Sequence, residues 1–267
     1  MSCPDCFRGF LHDGSPRGAL VKVGDLDAYY AGPVEGRSAK RPILFYIPDV
    51  FGMSFKNSQL LADSYAEKGG FHVYVVDIFN SDPLPPETLE FMEYEGWVSS
   101  LLFPFRLLWQ LPTLIRWMGR HGDEVARPLV YAGATALRQA ADALGVPLFA
   151  AGFCYGGRYS CVLAGEHGGV APLVDACVSA HPSRLSAEEA TAVTKPTLYC
   201  LVPSDMFTPK HAADAISKQK TPTPAAVEVY PGQSHGFAVR GGPRSFEARH
   251  KCIEDVVAFF KGVQAKM

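Results

Sequence analysis

A cysteine at the tip of a glycine-crowded turn constrains the fold of this chain more than any other feature. Residues 146–151 form an apolar run typical of a buried strand, residues 152–157 are Gly-Phe-Cys-Tyr-Gly-Gly, and residues 158–164 are compatible with a helix. Small residues two before and two after Cys154 let a strand and a helix pass closely, while the turn strains its central residue. The pattern is that of a nucleophile elbow with cysteine in place of serine, and the helix N-terminus favours the thiolate. Buried cysteines are usually inert core residues, so the motif alone leaves that alternative open.

Composition and charge narrow the class of protein. The 267 residues carry a formal net charge of −2, which gives no reason to expect nucleic acid or a membrane surface as a partner. Seven scattered cysteines favour free thiols in a reducing compartment over a disulfide framework. The first residues lack the apolar segment of a signal peptide, and prolines and charged side chains interrupt the most apolar stretch, residues 98–118. We expect a cytoplasmic monomer or homodimer without a membrane span.

Short apolar runs alternate with helical patterns along most of the chain. The predicted strands are residues 26–30, 43–48, 71–77, 146–151, 175–180, 197–202 and 226–230. The predicted helices are residues 57–69, 131–144, 158–164, 211–217 and 246–263. This alternation favours βαβ units around a mainly parallel central sheet flanked by helices. Because no internal repeat or linker interrupts it, we expect a single α/β domain over residues 1–267.

Residues 80–130 break the alternation and are rich in aromatic side chains. These are Phe91, Tyr94, Trp97, Phe103, Phe105, Trp109 and Trp117. A connection this long and this aromatic needs a surface to cover. The region forms either helices packed on the sheet as ordinary core or a cap over the active-site face. As a cap it would bring Trp97 and Trp109 to the substrate.

An acid and a histidine follow the elbow in the chain order that α/β hydrolases use. A cysteine nucleophile needs a base, and the base needs an orienting acid. Asp205 follows one predicted strand and His235 follows the next, at the carboxyl ends where open α/β sheets place their ligands. We predict Cys154 as nucleophile, His235 as base and Asp205 as orienting acid.

A tetrahedral intermediate also needs donors for its oxyanion. In this architecture one donor is the backbone N–H of the residue after the nucleophile, here Tyr155, and the second comes from the loop after an earlier strand. Residues 47–52, Ile-Pro-Asp-Val-Phe-Gly, supply that loop, with the Val50 N–H as candidate. Phe207, close to the predicted acid in sequence, is a candidate for substrate binding.

These motifs together resemble the dienelactone hydrolase family, the cysteine branch of the α/β hydrolases. The matching segments are Pro-Asp-Val-Phe-Gly (48–52), residues 152–157, Ala-His-Pro-Ser (180–183), Asp205 and Ser-His-Gly-Phe-Ala-Val-Arg-Gly (234–241). The last two are most similar to fungal members. The resemblance covers nearly the whole chain, and it implies an α/β-hydrolase fold and a Cys154–His235–Asp205 triad.

The resemblance also suggests polar neighbours for the triad. Asp49 stands where bacterial members have a glutamate that switches the thiol on, and aspartate is one methylene shorter. The family's type substrate carries a carboxylate held by arginines. Arg240 lies five residues after His235 rather than four, and Arg158, in the first turn of the elbow helix, is a second candidate. A packing or solvated role for Arg158 is the alternative, and we expect a structural role for His181.

The expected activity is hydrolysis of small esters or lactones through a thioacyl-enzyme, without metal or cofactor. Cys3 and Cys6 have metal-ligand spacing, but no second pair completes four ligands. Because thiolate is a good leaving group, aryl esters, enol esters and strained lactones are favoured over amides. Two alternatives stay open: acyl transfer or C–C bond hydrolysis of a polyketide-like compound, and a non-catalytic binding member of the fold.

Overall fold

An eight-stranded sheet forms the centre of the protein, in the strand order β1-β2-β4-β3-β5-β6-β7-β8. The computed structural model describes residues 10–32, 40–86, 88, 97–167, 169–203, 205–208, 210–217 and 225–267. The strands are β1 (Ala19–Val23), β2 (Leu26–Ala31), β3 (Ile43–Ile47), β4 (His72–Val76), β5 (Leu148–Phe153), β6 (Ala176–Ala180), β7 (Thr197–Leu201) and β8 (Ala226–Val229). The pairs β1–β2 and β2–β4 are antiparallel, and the others are parallel. The predicted α/β-hydrolase architecture with a mainly parallel sheet is confirmed.

Helices connect these strands. They are α1 (Lys56–Gly69), α2 (Trp97–Arg120), α3 (Asp123–Leu144), α4 (Tyr155–Leu163), α5 (Ala187–Thr191), α6 (Lys210–Ser217), α7 (Phe237–Arg240) and α8 (Phe246–Gln264), with a 3₁₀ turn at Pro243–Ser245. The prediction started α3 eight residues too late, and for the region that contains residues 97–120 it gave helices packed on the sheet as one of two alternatives. Pro104, Pro112 and Pro128 lie inside these two helices, and proline ordinarily argues against a helix interior.

The core lies on both faces of the central strands. Every residue of β3, β5 and β6 is buried, which is why these segments are apolar along almost their whole length, with Ser179 as the polar exception, instead of alternating. Strand β1 is different, because its first residues are exposed, and the sequence pattern did not reveal it. It closes the edge of the sheet as a hairpin with β2.

A crevice opens at the carboxyl ends of β3 and β5. After β3 the chain moves outward to β4 and returns to β5 on the other side of β3, so the two following loops run in opposite directions. Ile47 pairs with Gly152 at this end of the sheet. The loop carrying Val50 and the turn carrying Cys154 therefore begin side by side.

The end of α2 is fastened to the elbow. Trp117 is buried, and its indole N–H donates to the Asp82 carbonyl at 2.9 Å. The centroid of its ring lies 5.2 Å from that of the Phe79 ring and 6.0 Å from that of the Tyr155 ring. The Tyr155 hydroxyl donates to the carbonyl of His121 at 2.7 Å. The C-terminal part of the 80–130 insertion thus packs on the start of α4. Among the described helices, none has the length and apolar character needed to cross a bilayer.

Candidate active site

The turn at Cys154 has the strained geometry that its glycines predict. Cys154 has φ +53° and ψ −112°, a conformation that side-chain-bearing residues rarely adopt. A Cβ on Gly152 would come within 2.1 Å of the Gly156 carbonyl oxygen, and one on Gly156 within 2.2 Å of the Ile47 carbonyl oxygen. The Cys154 N–H donates to the Ala180 carbonyl at 3.1 Å, which holds the turn against β6. The backbone therefore requires glycine at both positions and presents the thiol between strand and helix.

The three predicted catalytic side chains are brought together. His235 Nε2 lies 3.0 Å from Cys154 Sγ, and His235 Nδ1 lies 2.8 Å from Asp205 Oδ2. All three side chains are almost completely buried. The other Asp205 oxygen accepts the Phe207 N–H at 2.8 Å, so the carboxylate is held from both sides. Asp205 thus holds the His235 imidazole in an orientation that directs its Nε2 atom at the Cys154 thiol.

The electrostatics of this cluster favour a charged pair. Burial acts to raise the pKa of the Cys154 thiol, but the charge and hydrogen bond of His235 outweigh it, and the pKa is lowered from its ordinary value. Burial acts to lower the pKa of His235, yet the charges and hydrogen bonds of Cys154 and Asp205 raise it to about 9. Both directions favour a thiolate beside an imidazolium, and the thiolate is the reactive form of a cysteine.

A largely apolar cavity of about 200 Å³ opens onto the thiol. Its apolar wall consists of Val50, Phe51, Leu84, Leu114, Trp117, Met118 and Phe207, and its polar members include Ser183, Arg184 and Arg240. Both predicted oxyanion donors, Val50 and Tyr155, line it. Neither backbone N–H donates to an acceptor within the described chain, so both remain available to a ligand.

A second cavity, of about 370 Å³, lies on another side of His235. It is lined by residues 241–245, by Phe10 and by Ser234, and it does not include Cys154. Although this second cavity is larger, the smaller one is the candidate active site, because of the two only the smaller contains both the thiol and the imidazole.

Asp49 and Arg240 form a buried pair beside the thiol. Asp49 Oδ2 lies 3.3 Å from Arg240 Nη1, and Asp49 Oδ1 accepts the Phe51 N–H at 3.1 Å. Burial raises the pKa of Asp49, against the opposing charge of Arg240. The resemblance suggested that Asp49 contacts the thiol, whereas the structure directs its carboxylate to Arg240. The neighbours of Cys154 Sγ are His235 Nε2 and, at 3.8 Å, Ser183 Oγ.

Two predicted substrate-binding residues lie elsewhere. Arg158 turns away from the cavity: its guanidinium contacts Glu189 at 2.6 to 2.9 Å and Asp123 at 3.0 Å, which is the arrangement that the packing alternative describes. The Trp109 side chain is 78% exposed and does not line the cavity. The tryptophan of this helix that lines the cavity is Trp117 instead, eight residues further along the chain. The Trp97 side chain lies outside the described residues, as do Cys3 and Cys6.

Ser183 and His181 are neighbours of the site for which the sequence indicated no catalytic part. The Ser183 N–H donates to the Cys154 carbonyl at 3.0 Å, which brings the serine hydroxyl beside the thiol. His181 is buried with its ring 5.0 Å from that of His235, and neither ring nitrogen has a partner in the described chain. Burial lowers the pKa of His181 well below its ordinary value, so it stays neutral beside the charged pair. The Ala-His-Pro-Ser motif at residues 180–183 was the feature of the sequence that could have placed these two residues beside the thiol.

Strand, elbow and helix at the crevice of a mainly parallel eight-stranded sheet define the class as an α/β hydrolase. The model of the dienelactone hydrolase family matches residues 26–264. The chain therefore belongs to the dienelactone hydrolase family, and it is a hydrolase of carboxylic esters or lactones. Among the described residues, no group of His, Cys, Asp or Glu is arranged to hold a metal ion.

Relatives and solved structures agree with this assignment. The chain is 28% identical over 256 residues to the Hydrolase tropI of Talaromyces stipitatus, covering 94% of this chain and 90% of that one. It is 29% identical over 239 residues to the Hydrolase pyvD of Aspergillus violaceofuscus, covering 88% and 84%. The solved esterase of Thermogutta terrifontis shares the fold with a TM-score of 0.62 at 16% identity, covering 93% and 95%. The two relatives are fungal, as the resemblance implied.

Proposed function

We propose that this protein hydrolyses small aromatic or apolar esters or lactones through a Cys154–His235–Asp205 triad and a thioacyl-enzyme. One observation carries the proposal: His235 lies 3.0 Å from the buried thiol and 2.8 Å from a buried carboxylate. A base between nucleophile and orienting acid is the arrangement that nucleophilic acyl transfer needs. The lowered pKa of Cys154 supports the same role.

In the first half-reaction the Cys154 thiolate attacks the carbonyl carbon. The carbonyl oxygen becomes an oxyanion, which the Val50 and Tyr155 N–H groups stabilise. As the intermediate collapses, the bond to the leaving oxygen breaks, and the His235 imidazolium gives that oxygen its proton. The products are an alcohol, tethered in the case of a lactone, and a thioester on Cys154.

In the second half-reaction water replaces the alcohol. Neutral His235 removes a proton from the water, and the resulting hydroxide attacks the thioester carbonyl. Collapse of the second oxyanion releases the carboxylic acid and restores the thiolate beside the imidazolium. Asp205 holds the Nδ1 proton of His235 throughout and balances the positive charge.

The cavity limits the substrate in size and charge. An apolar cavity of about 150 Å³ takes up benzene, so about 200 Å³ accommodates one aromatic ring together with its ester or lactone group. Arg240 reaches the cavity, but Asp49 already balances its charge. We therefore propose an uncharged substrate with one ring in place of the carboxylate-bearing compound that the resemblance implied. Thiolate chemistry further favours a phenol or enol as leaving group.

Turnover of phenyl acetate and of dihydrocoumarin, an aromatic lactone, tests the proposal. Cys154→Ala should lose on the order of 10³-fold or more in kcat. The matched control is Cys200→Ala, since Cys200 is another buried free cysteine and lies in β7. It should keep its kcat. Near wild-type turnover by Cys154→Ala would rule the mechanism out.

Thiol labelling separates this proposal from a binding protein without activity. Iodoacetamide at neutral pH should alkylate Cys154 much faster than the buried Cys161, Cys177, Cys200 and Cys252, as peptide mass spectrometry would measure. Equal labelling would contradict an activated thiolate. Product analysis with an added alcohol acceptor then distinguishes hydrolysis from acyl transfer.

A further inference from the structure

A buried serine hydroxyl lies beside the proposed nucleophile. Ser183 Oγ is 3.8 Å from Cys154 Sγ, a distance at which a hydroxyl can hydrogen-bond to the large sulfur atom. Ser183 is 8% exposed and lines the apolar cavity of Cys154. In the described part of the chain, its hydroxyl has no hydrogen-bond partner other than this sulfur. Because buried hydroxyls ordinarily have a partner, the Ser183 proton is available to the sulfur.

The backbone around Ser183 is strained and is held at two points. Two residues close to it, His181 and Arg184, have φ of +36° and +59°, in the left-handed region that side-chain-bearing residues rarely adopt. The Ser183 N–H donates to the Cys154 carbonyl at 3.0 Å, and the Arg184 N–H donates to the Phe207 carbonyl at 3.4 Å. Strained conformations persist only where surrounding contacts determine them, and they concentrate at functional sites. Both the elbow and the loop of the predicted acid thus fix the position of the serine.

A thiolate at Cys154 needs hydrogen-bond donors in place of water. Cys154 is 6% exposed, and burial by itself disfavours the charged form of a thiol. His235 Nε2, at 3.0 Å, supplies one donor, and the Ser183 hydroxyl is the second side-chain donor within reach in the described chain. A hydrogen bond to the charged form of a group favours that form. The serine can therefore act on the ionisation of the thiol without giving up its proton.

We propose that Ser183 is a further catalytic residue, whose hydroxyl donates a hydrogen bond to the Cys154 thiolate and so extends the ionised nucleophile to lower pH. This role rests on the proposed function, because it concerns the resting state of the proposed triad. No bond of the serine breaks, and its proton stays on Oγ while the sulfur attacks the carbonyl carbon. Without the hydroxyl, less thiolate is present, but each thiolate is more basic and therefore more nucleophilic.

Three charged or titratable groups also act on the sulfur. Burial acts to raise the pKa of the Cys154 thiol, His235 after β8 and Arg240 of α7 act to lower it, and Asp49 after β3 acts to raise it. All three side chains are unchanged in Ser183→Ala, and the serine carries no charge of its own. A shift in the ionisation of the thiol in this variant therefore reports the loss of the hydroxyl.

The alkylation rate of Cys154 by iodoacetamide, measured between pH 4 and pH 10, tests this role. In Ser183→Ala the rise of the rate with pH should move upward by about one pH unit, so the rate on this acid limb falls up to about tenfold. At the alkaline plateau the same variant should react about threefold faster than wild type, because a more basic thiolate is a better nucleophile. The acid limb of kcat/KM for phenyl acetate should move in the same direction.

Two further variants are the controls. Ser183→Thr keeps the hydroxyl and should have the acid limb of wild type. Ser160→Ala removes another buried hydroxyl, which donates to the Gly157 carbonyl at 2.9 Å and does not line the cavity. This variant should also have the acid limb and the plateau of wild type.

Three results would overturn the role of Ser183. They are an acid limb at the same pH in wild type and Ser183→Ala, an equal shift in Ser183→Ala and Ser183→Thr, and a plateau that falls in Ser183→Ala. Alkylation does not need turnover, so this test is separate from that of the proposed function. Near wild-type turnover by Cys154→Ala would refute the reaction, whereas an unshifted acid limb beside an inactive Cys154→Ala would refute only the role of the serine.

Discussion

Asp205 should determine the upper pH limit of activity through its hydrogen bond to His235. The two side chains are 1% and 2% exposed and lie 2.8 Å apart. The pKa of His235 is raised from 6.5 to about 9, even though burial opposes the charged form. In Asp205→Asn the shape is kept and the negative charge is lost. The imidazolium then keeps Cys154 as its main charged stabilising neighbour.

The size of the effect follows from this geometry. A hydrogen bond to a charged group contributes about 1.5 to 3 kcal/mol, and about 1.4 kcal/mol corresponds to one pH unit. The alkaline limb of kcat/KM should therefore move from about pH 9 in wild type toward neutral by about one to two pH units in Asp205→Asn. Because the imidazole also loses its oriented tautomer, kcat should fall on the order of 10² to 10⁴-fold.

The assay is a profile of kcat/KM for phenyl acetate between pH 5 and pH 10, with the alkylation rate of Cys154 measured over the same range. The matched control is Asp175→Asn, because Asp175 pairs with Arg138 at 2.8 Å and does not line the cavity. Its alkaline limb should stay in place. An unshifted limb and undiminished kcat in Asp205→Asn would show that another group orients His235, and the assignment of Asp205 would fail.

The remaining predictions concern Arg158, which the structure places away from the cavity, and the two α2 tryptophans Trp117 and Trp109. Arg158→Met should lower the free energy of unfolding by roughly 3 kcal/mol, because it leaves the mostly buried Glu189 without its main partner, while kcat/KM stays within about twofold. Urea unfolding and ester kinetics measure both, and weaker substrate binding at unchanged stability would return Arg158 to the site. Trp117→Leu should raise the KM for phenyl acetate and lower the melting temperature, since Trp117 is both core and cavity wall. Trp109→Leu should change neither the KM nor the melting temperature. Equal effects of the two substitutions would contradict the placement of Trp117, and not Trp109, in the cavity wall.

The positions of the candidate catalytic residues were predictable because they depend on local backbone requirements and on the order of the strands. Only glycine fits at positions 152 and 156, and those two residues mark the turn that presents Cys154. The acid and the histidine each follow a strand, so the alternation of strands and helices was enough to place them at one end of the sheet. Burial on both faces made the central strands almost entirely apolar, and the strands could therefore be predicted from the sequence.

Which charged and aromatic side chains surround the thiol depended on contacts between distant parts of the chain. Asp49 and Arg240 are 191 residues apart and pair inside the protein, whereas Arg158, next to the elbow, pairs with Glu189. No spacing rule connects such residues, because their distance is set by how the sheet brings its loops together.

The same reason separates Trp117 from Trp109. Both tryptophans lie on α2, and the amino-acid composition of the segment does not distinguish them. The sequence by itself determined the elbow, the order of the candidate catalytic residues and the family. Only the packing of α2 against Asp82 and Tyr155 decided which of its faces lines the cavity and which faces solvent. A helix exposes its residues by rotation about its own axis, and that rotation is set by its partners in the folded protein.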